Sequence, residues 1–129
     1  MRKRFIYTTA LVTSMLLMSA MPASEVITRD GATTIVNTQT LTKGVKGYRG
    51  NTPLKIYIKK DKIAKIETLK NYETPDYFAK AAAILKKWEG KTVENAKTLK
   101  VDGVTGATMS SDALKKNVKA GLEYYEKNK

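Results

Sequence analysis

The chain of 129 residues contains no cysteine and no histidine. Without cysteine there is no disulfide, no thiolate nucleophile, no thiol redox pair and no lipid attachment through a cysteine at a processing site. Without either residue, Ser-His-Asp and Cys-His catalysis, zinc sites of the usual kind and haem attachment fall away as well. Any redox role therefore rests on a bound cofactor. Arginine is scarce: beyond Arg2 and Arg4 there are only Arg29 and Arg49. Base edges and phosphate forks favour arginine over lysine. The net charge of +12 thus reads as a solvated lysine-rich surface ahead of a nucleic-acid interface, and no lysine run exceeds two residues. Long apolar runs are missing too. The one extended apolar stretch, Phe5 to Met18, is interrupted by Thr8, Thr9, Thr13 and Ser14 and falls short of the roughly 20 residues that span a bilayer.

What is present begins with that stretch. Arg2-Lys3-Arg4, the apolar centre and the small residues of Ser19-Ala20-Met21-Pro22-Ala23 have the layout of a secretory signal. The expectation is a signal peptide over 1–23, cut after Ala23, and a single mature domain over 24–129. Met21 stands third before the cut, where a small residue is usual, so an uncleaved anchor stays open. Loss of Arg2, Lys3 and Arg4 lowers the net charge from +12 to +9. The expected location is extracytoplasmic, in a periplasm or on the outer face of the cytoplasmic membrane. Peripheral membrane association fits the charge, and a nucleic-acid partner does not fit the location.

The mature part changes period once. Val26-Ile27-Thr28 and Thr33 to Thr38 flank Asp30-Gly31, a hairpin signal. Leu54 to Lys59 and Ile63 to Leu69 read as alternating strands around a Lys60-Asp61-Lys62 turn. Lys43 to Gly50 is glycine-spaced, as in a short strand entering a loop. After Leu69 the spacing turns helical. Thr74 and Pro75 open one helix, with Phe78, Ala82, Leu85 and Trp88 on one face and Gly90 at its end. Leu114, Val118, Leu122 and Tyr125 mark a second, whose lysines (Lys115, Lys116, Lys119, Lys127) face outward. Strands followed by helices predict an α+β domain: one antiparallel sheet of about four or five strands covered by two main helices.

One segment does not reduce to core. Asp102-Gly103-Val104-Thr105-Gly106-Ala107-Thr108-Met109-Ser110 runs straight into the last helix, with Ser110 or Ser111 as its expected N-cap and Asp112 in its first turn. Gly106 allows backbone angles closed to other residues and a close approach to a ligand. A glycine-hydroxyl loop at a helix start offers free N–H groups and the positive end of the dipole, which together suit a phosphate. On local physics alone an ordinary capped loop is the better explanation, since glycine with serine or threonine before a helix is common.

The nine residues from Asp102 to Ser110 resemble the signature of the FMN-binding domain family, which includes the C subunit of the sodium-translocating NADH:quinone reductase and the G subunit of the Rnf complex. The pattern is Asp, two free positions, Ser or Thr, Gly-Ala-Thr, one free position and Ser or Thr. The resemblance extends to Gly47-Tyr48-Arg49-Gly50, Thr52-Pro53-Leu54, Glu73-Thr74-Pro75 and Lys86 to Lys91. It implies FMN as cofactor, joined by a flavin transferase as a phosphoester to the final hydroxyl, here Ser110 where the best-known relatives carry threonine. It further implies that Asp102 positions a metal or the acceptor hydroxyl during transfer, and that Thr105, Thr108 and the loop N–H groups, including those of Gly106, Ala107 and Ser111, hold phosphate oxygens. Glu73-Thr74-Pro75 would close over the flavin, and Tyr48 and Met109 would touch its ring. For Glu73 a cap on its own helix, and for Tyr48 plain sheet packing, are competing readings.

The implied protein is an exported, flavinylated electron carrier rather than a stand-alone enzyme. Its partners would be the flavin transferase and a membrane redox complex or other electron carriers. Its modification, a phosphoester, would make it chemically a phosphoprotein. Two rivals stay open: a non-covalent FMN- or phosphate-binding module, and a basic envelope-binding protein with no redox role.

Overall fold

The computed structural model describes residues 26–129, so the expected signal segment over 1–23 lies outside the described residues. Four strands, β1 (Ile27–Asp30), β2 (Thr33–Asn37), β3 (Leu54–Lys59) and β4 (Lys62–Thr68), form one antiparallel sheet in chain order. The hairpin turns have the chemistry their geometry demands. Gly31 takes φ 61° between β1 and β2, and Lys60 and Asp61 take φ 52° and 59° between β3 and β4. Two consecutive positive φ values are those of a type I′ turn, whose twist matches the flanking strands.

The face of the sheet that carries Val36, Leu54, Ile56 and Ile58 is buried. In β4 the buried residues are Ile63 and Ile66, three apart, which a regular strand would send to opposite faces. A register shift next to Tyr57 and Ile58 absorbs the extra residue: Ile56 pairs with Ile66, and Ile58 pairs with Ile63. The bulge brings both isoleucines onto the core side.

Three helices follow, the two expected main ones and a short one between them. Helix α1 (Pro75–Ala82) continues as a 3-10 segment, Ala83–Lys87, and stops at Trp88, with Gly90 at φ 84°. Helix α2 (Val93–Thr98) is short and is capped by the Thr92 hydroxyl, which accepts from Asn95 N at 3.2 Å. Helix α3 (Thr108–Asn128) carries the expected stripe of Leu114, Val118, Leu122 and Tyr125, all buried. It lies close enough to the sheet that a Cβ on Gly121 would stand 2.6 Å from Ile56 Cδ1. At its far end the Tyr125 hydroxyl donates to Asp61 Oδ1 at 2.6 Å, tying the helix to the β3–β4 turn. Burial first, and then the Asp61 carboxylate, push that phenol up to about 12.

The connection from β2 to β3 is fastened to the middle of α3. Asn117 is fully buried. Its Oδ1 accepts from the Thr38 and Thr42 hydroxyls at 2.6 Å each, and its Nδ2 donates to Thr52 Oγ1 at 3.4 Å and Ala113 O at 2.9 Å. Lys43 to Gly50, expected as a short strand, is instead a series of turns closed by a bridge between Lys46 and Asn51. The Asn51 side chain donates to the carbonyls of Thr42, Lys43 and Val45, so local side-chain bonds replace a ladder. Among the described residues, no helix is long and apolar enough to cross a membrane.

Candidate functional site

Helix α3 begins earlier than its serines suggest. Ala107 N donates to Val104 O at 2.9 Å, and Gly106, at φ 84°, turns the chain so that Thr108 is already helical. Ser110 and Ser111, expected as N-caps, lie inside the first turn, and Asp112 lies beyond it. The N-cap residue is Ala107, and no side chain caps the helix. The first N–H groups of α3, those of Thr108, Met109 and Ser110, therefore have no intrahelical partner. Ser111 is turned fully inward and closes the loop from behind. Its hydroxyl donates to Ala107 O at 2.9 Å and Thr108 O at 3.1 Å and accepts from Val104 N at 3.3 Å.

Glu73 joins three segments at this point. Its Oε1 accepts from Tyr48 N at 2.8 Å and from the Ser110 hydroxyl at 2.6 Å, and its Oε2 accepts from Arg49 N at 2.6 Å. The residue is 6% exposed. Burial pushes its carboxyl up, but the bonds from Ser110, Arg49, Tyr48 and the Gly50 backbone outweigh burial and hold it below its ordinary 4.5. Glu73 is thus neither the cap of α1, whose N-cap is Thr74, nor a lid. It is the tie between the Gly47–Gly50 turn and the first turn of α3. Gly47 is required for this: a Cβ there would collide with the Glu73 carboxylate and come within 3.4 Å of Ser110 Cα.

A cavity of about 450 Å³ opens over the start of α3, lined by Tyr48, Thr74, Tyr77, Gly106, Ala107, Thr108, Met109 and Ser110. Seven of these eight were expected from sequence; Tyr77 was not. Its position in the first turn of α1 carries no local motif, and only the approach of α1 to α3 brings it to the site. Four expected residues do not line the cavity: Glu73, the buried tie just described, and three more. Asp102 lines a separate cleft with Lys87, Lys91 and Lys100 on the far side of the loop. Thr105 is exposed and does not line the cavity. Ser111 faces the interior. The two remaining hydroxyls of the signature differ in kind: Thr108 is exposed, and Ser110 is 3% exposed and bound to Glu73.

A family model described as FMN-binding domain matches residues 47–123, from the glycine under Glu73 to the last turns of α3. The chain belongs to the FMN-binding domain family. No curated protein and no solved structure matches it. The cofactor of the FMN-binding domain fits the residues found here. An uncapped helix start suits a phosphate. The cavity is of the size that small-molecule ligands take, and its mouth carries Tyr48, Tyr77 and Met109, which suit a planar apolar ring.

Proposed function

We propose that this FMN-binding domain is an exported electron carrier whose FMN is held by a phosphoester to a hydroxyl at the start of α3. The observation that carries the reading is the junction of an uncapped helix start, the Thr108 and Ser110 hydroxyls and an aromatic-rimmed cavity in one place. FMN supplies reversible electron uptake; the chain's residues bind, orient and shield it. The N–H groups of Thr108, Met109 and Ser110 would hold the phosphate, and the dipole of a 21-residue helix would favour its charge. Export rests on the N-terminal pattern of basic, apolar and small residues. A covalent link suits that location, where a loosely held flavin would diffuse away.

The signature nominates its final hydroxyl, Ser110, as the acceptor. Ser110 lines the cavity at the start of α3, and its hydroxyl donates to Glu73 Oε1 at 2.6 Å. Co-expression of the full chain with a flavin transferase and an export system should add the mass of FMN less one water. Ser110→Ala should abolish the adduct, and Thr108→Ala should retain it. An adduct that persists in Ser110→Ala and maps to Thr108 or Ser111 overturns the assignment of Ser110. Flavin that co-purifies but leaves on denaturation supports the non-covalent module. A protein with no flavin under these conditions leaves the basic envelope-binding reading in its place.

A further inference from the structure

Large apolar side chains are left in solvent at five described positions: Tyr48, Tyr72, Tyr77, Leu99 and Met109. Three of the five, Tyr48, Tyr77 and Met109, line the same cavity, although they come from three different parts of the chain. Exposed apolar residues scattered singly need no explanation, but convergence on one concave site does. Tyr48 is 72% exposed and Tyr77 53% exposed, so folding does not use most of either ring.

Both rings stand on fixed backbone. Tyr48 is tethered by its own N–H to Glu73 Oε1, with the neighbouring Arg49 N–H bound to Oε2, and the tight contact of Gly47 with the same carboxylate leaves the turn no slack. Tyr77 lies in the first turn of α1, whose entry is set by Pro75. Two aromatic residues are therefore presented on preorganised supports at a cavity whose floor is the start of α3. Planar aromatic ligands gain from stacked contact with such rings, and little ordering entropy is lost when the backbone is already held.

We propose that Tyr48 and Tyr77 are the walls that hold the isoalloxazine ring of FMN, each through its ring face, and that Glu73 is the positioning residue that fixes the Tyr48 wall. The proposal rests on the reading of this site as an FMN site. It assigns Tyr77 a role that the signature around Asp102 to Ser110 does not cover. It also separates two tasks: the helix start receives the phosphate, and the two phenols receive the ring.

The test uses flavin fluorescence of the full chain loaded by co-expression with a flavin transferase, normalised to loading by intact mass. A phenol stacked on an excited flavin lends it an electron that returns at once, which quenches emission without net chemistry. Tyr48→Leu and Tyr77→Leu should each raise emission per flavin severalfold. Tyr48→Phe and Tyr77→Phe should raise it as well, while leaving the flavin as protected from iodide as in wild type, because phenylalanine keeps the contact but is a poor electron donor. Tyr72→Leu, a tyrosine just as exposed but outside the cavity, should change nothing. Emission in Tyr48→Leu and Tyr77→Leu equal to wild type at equal loading overturns the proposal, as does an equal rise in Tyr72→Leu. If wild type carries no covalent flavin, the covalent reading fails separately. The same variants are then titrated with FMN: a loss of roughly 2- to 13-fold in affinity for each leucine variant supports the walls, and unchanged affinity overturns them.

Discussion

Removing Glu73 should loosen the site and destabilise the whole domain, and the size of the effect follows from its bonds. The carboxylate accepts from Tyr48 N at 2.8 Å, Arg49 N at 2.6 Å and the Ser110 hydroxyl at 2.6 Å. Hydrogen bonds to a charged group contribute about 1.5–3 kcal/mol each, and they do not simply add. Tyr48 and Arg49 are exposed residues, so water can take over part of their loss, but Ser110 is buried and has no such substitute. Burying the carboxylate also has a cost, which the variant recovers. The expected net loss for Glu73→Ala is about 2–4 kcal/mol. Glu73→Gln keeps the shape but turns an NH₂ toward one of three donors, and should lose about 1–3 kcal/mol. Urea unfolding followed by the emission of Trp88 measures both.

The pH dependence gives an independent reading. The folded carboxyl titrates below its ordinary 4.5. Its stabilisation is therefore fully present above the unfolded value and is lost as pH falls through the folded value. The gap in stability between wild type and Glu73→Gln should accordingly be constant near neutral pH and shrink below about 4.5. A gap that stays constant down to pH 3, or variants within about 0.5 kcal/mol of wild type, would refute the assignment of Glu73 as an ionised tie.

Two further substitutions test the packing around the site. Gly47→Ala should cost about 1–3 kcal/mol by overpacking against Glu73, and most of that cost should vanish in a Glu73→Ala background, which a double-mutant cycle by urea unfolding reads directly. Asn117→Ala leaves the Thr38, Thr42 and Thr52 hydroxyls short of a partner in the core; it should cost about 2–4 kcal/mol in thermal or urea unfolding.

The parts of the fold that could be read in the residues are those governed by neighbours in the chain. The Asp30-Gly31 and Lys60-Asp61 turns, the Leu114–Tyr125 stripe and the positive φ of Gly106 all depend on local sterics and local periodicity. Helix α2 escaped notice because six residues with only Val93 and Ala96 buried give almost no period, although Thr92 and Asn95 are a legible cap. The start of α3 was misplaced because serines are good caps in general, and the choice was made instead by the Gly106 turn two residues before the helix. The β4 bulge is invisible without its partner strand. At the site, local chemistry picked out the glycine and hydroxyl loop. The role of Glu73 depends on atoms 24 to 37 positions away, and the place of Tyr77 depends on how α1 meets α3. Asp102 belongs to the same nine-residue signature as Ser110, yet the turn at Val104 to Ala107 separates the two into different clefts. Adjacency in a motif does not guarantee a shared cavity.

Helix α3 also settles how the domain can be handled. Its 21 residues span about 30 Å at 1.5 Å per residue, with the cavity of Tyr48, Tyr77 and Met109 at one tip and the Tyr125–Asp61 clasp at the other. A tag, a dye or a surface linker on Lys129 thus lies a full helix length from the cavity mouth. Immobilised on a surface through that end, the domain would present its cavity to the solution unobstructed. Grafting through the Gly47–Gly50 turn would instead pull on Tyr48 and the carboxylate that holds it.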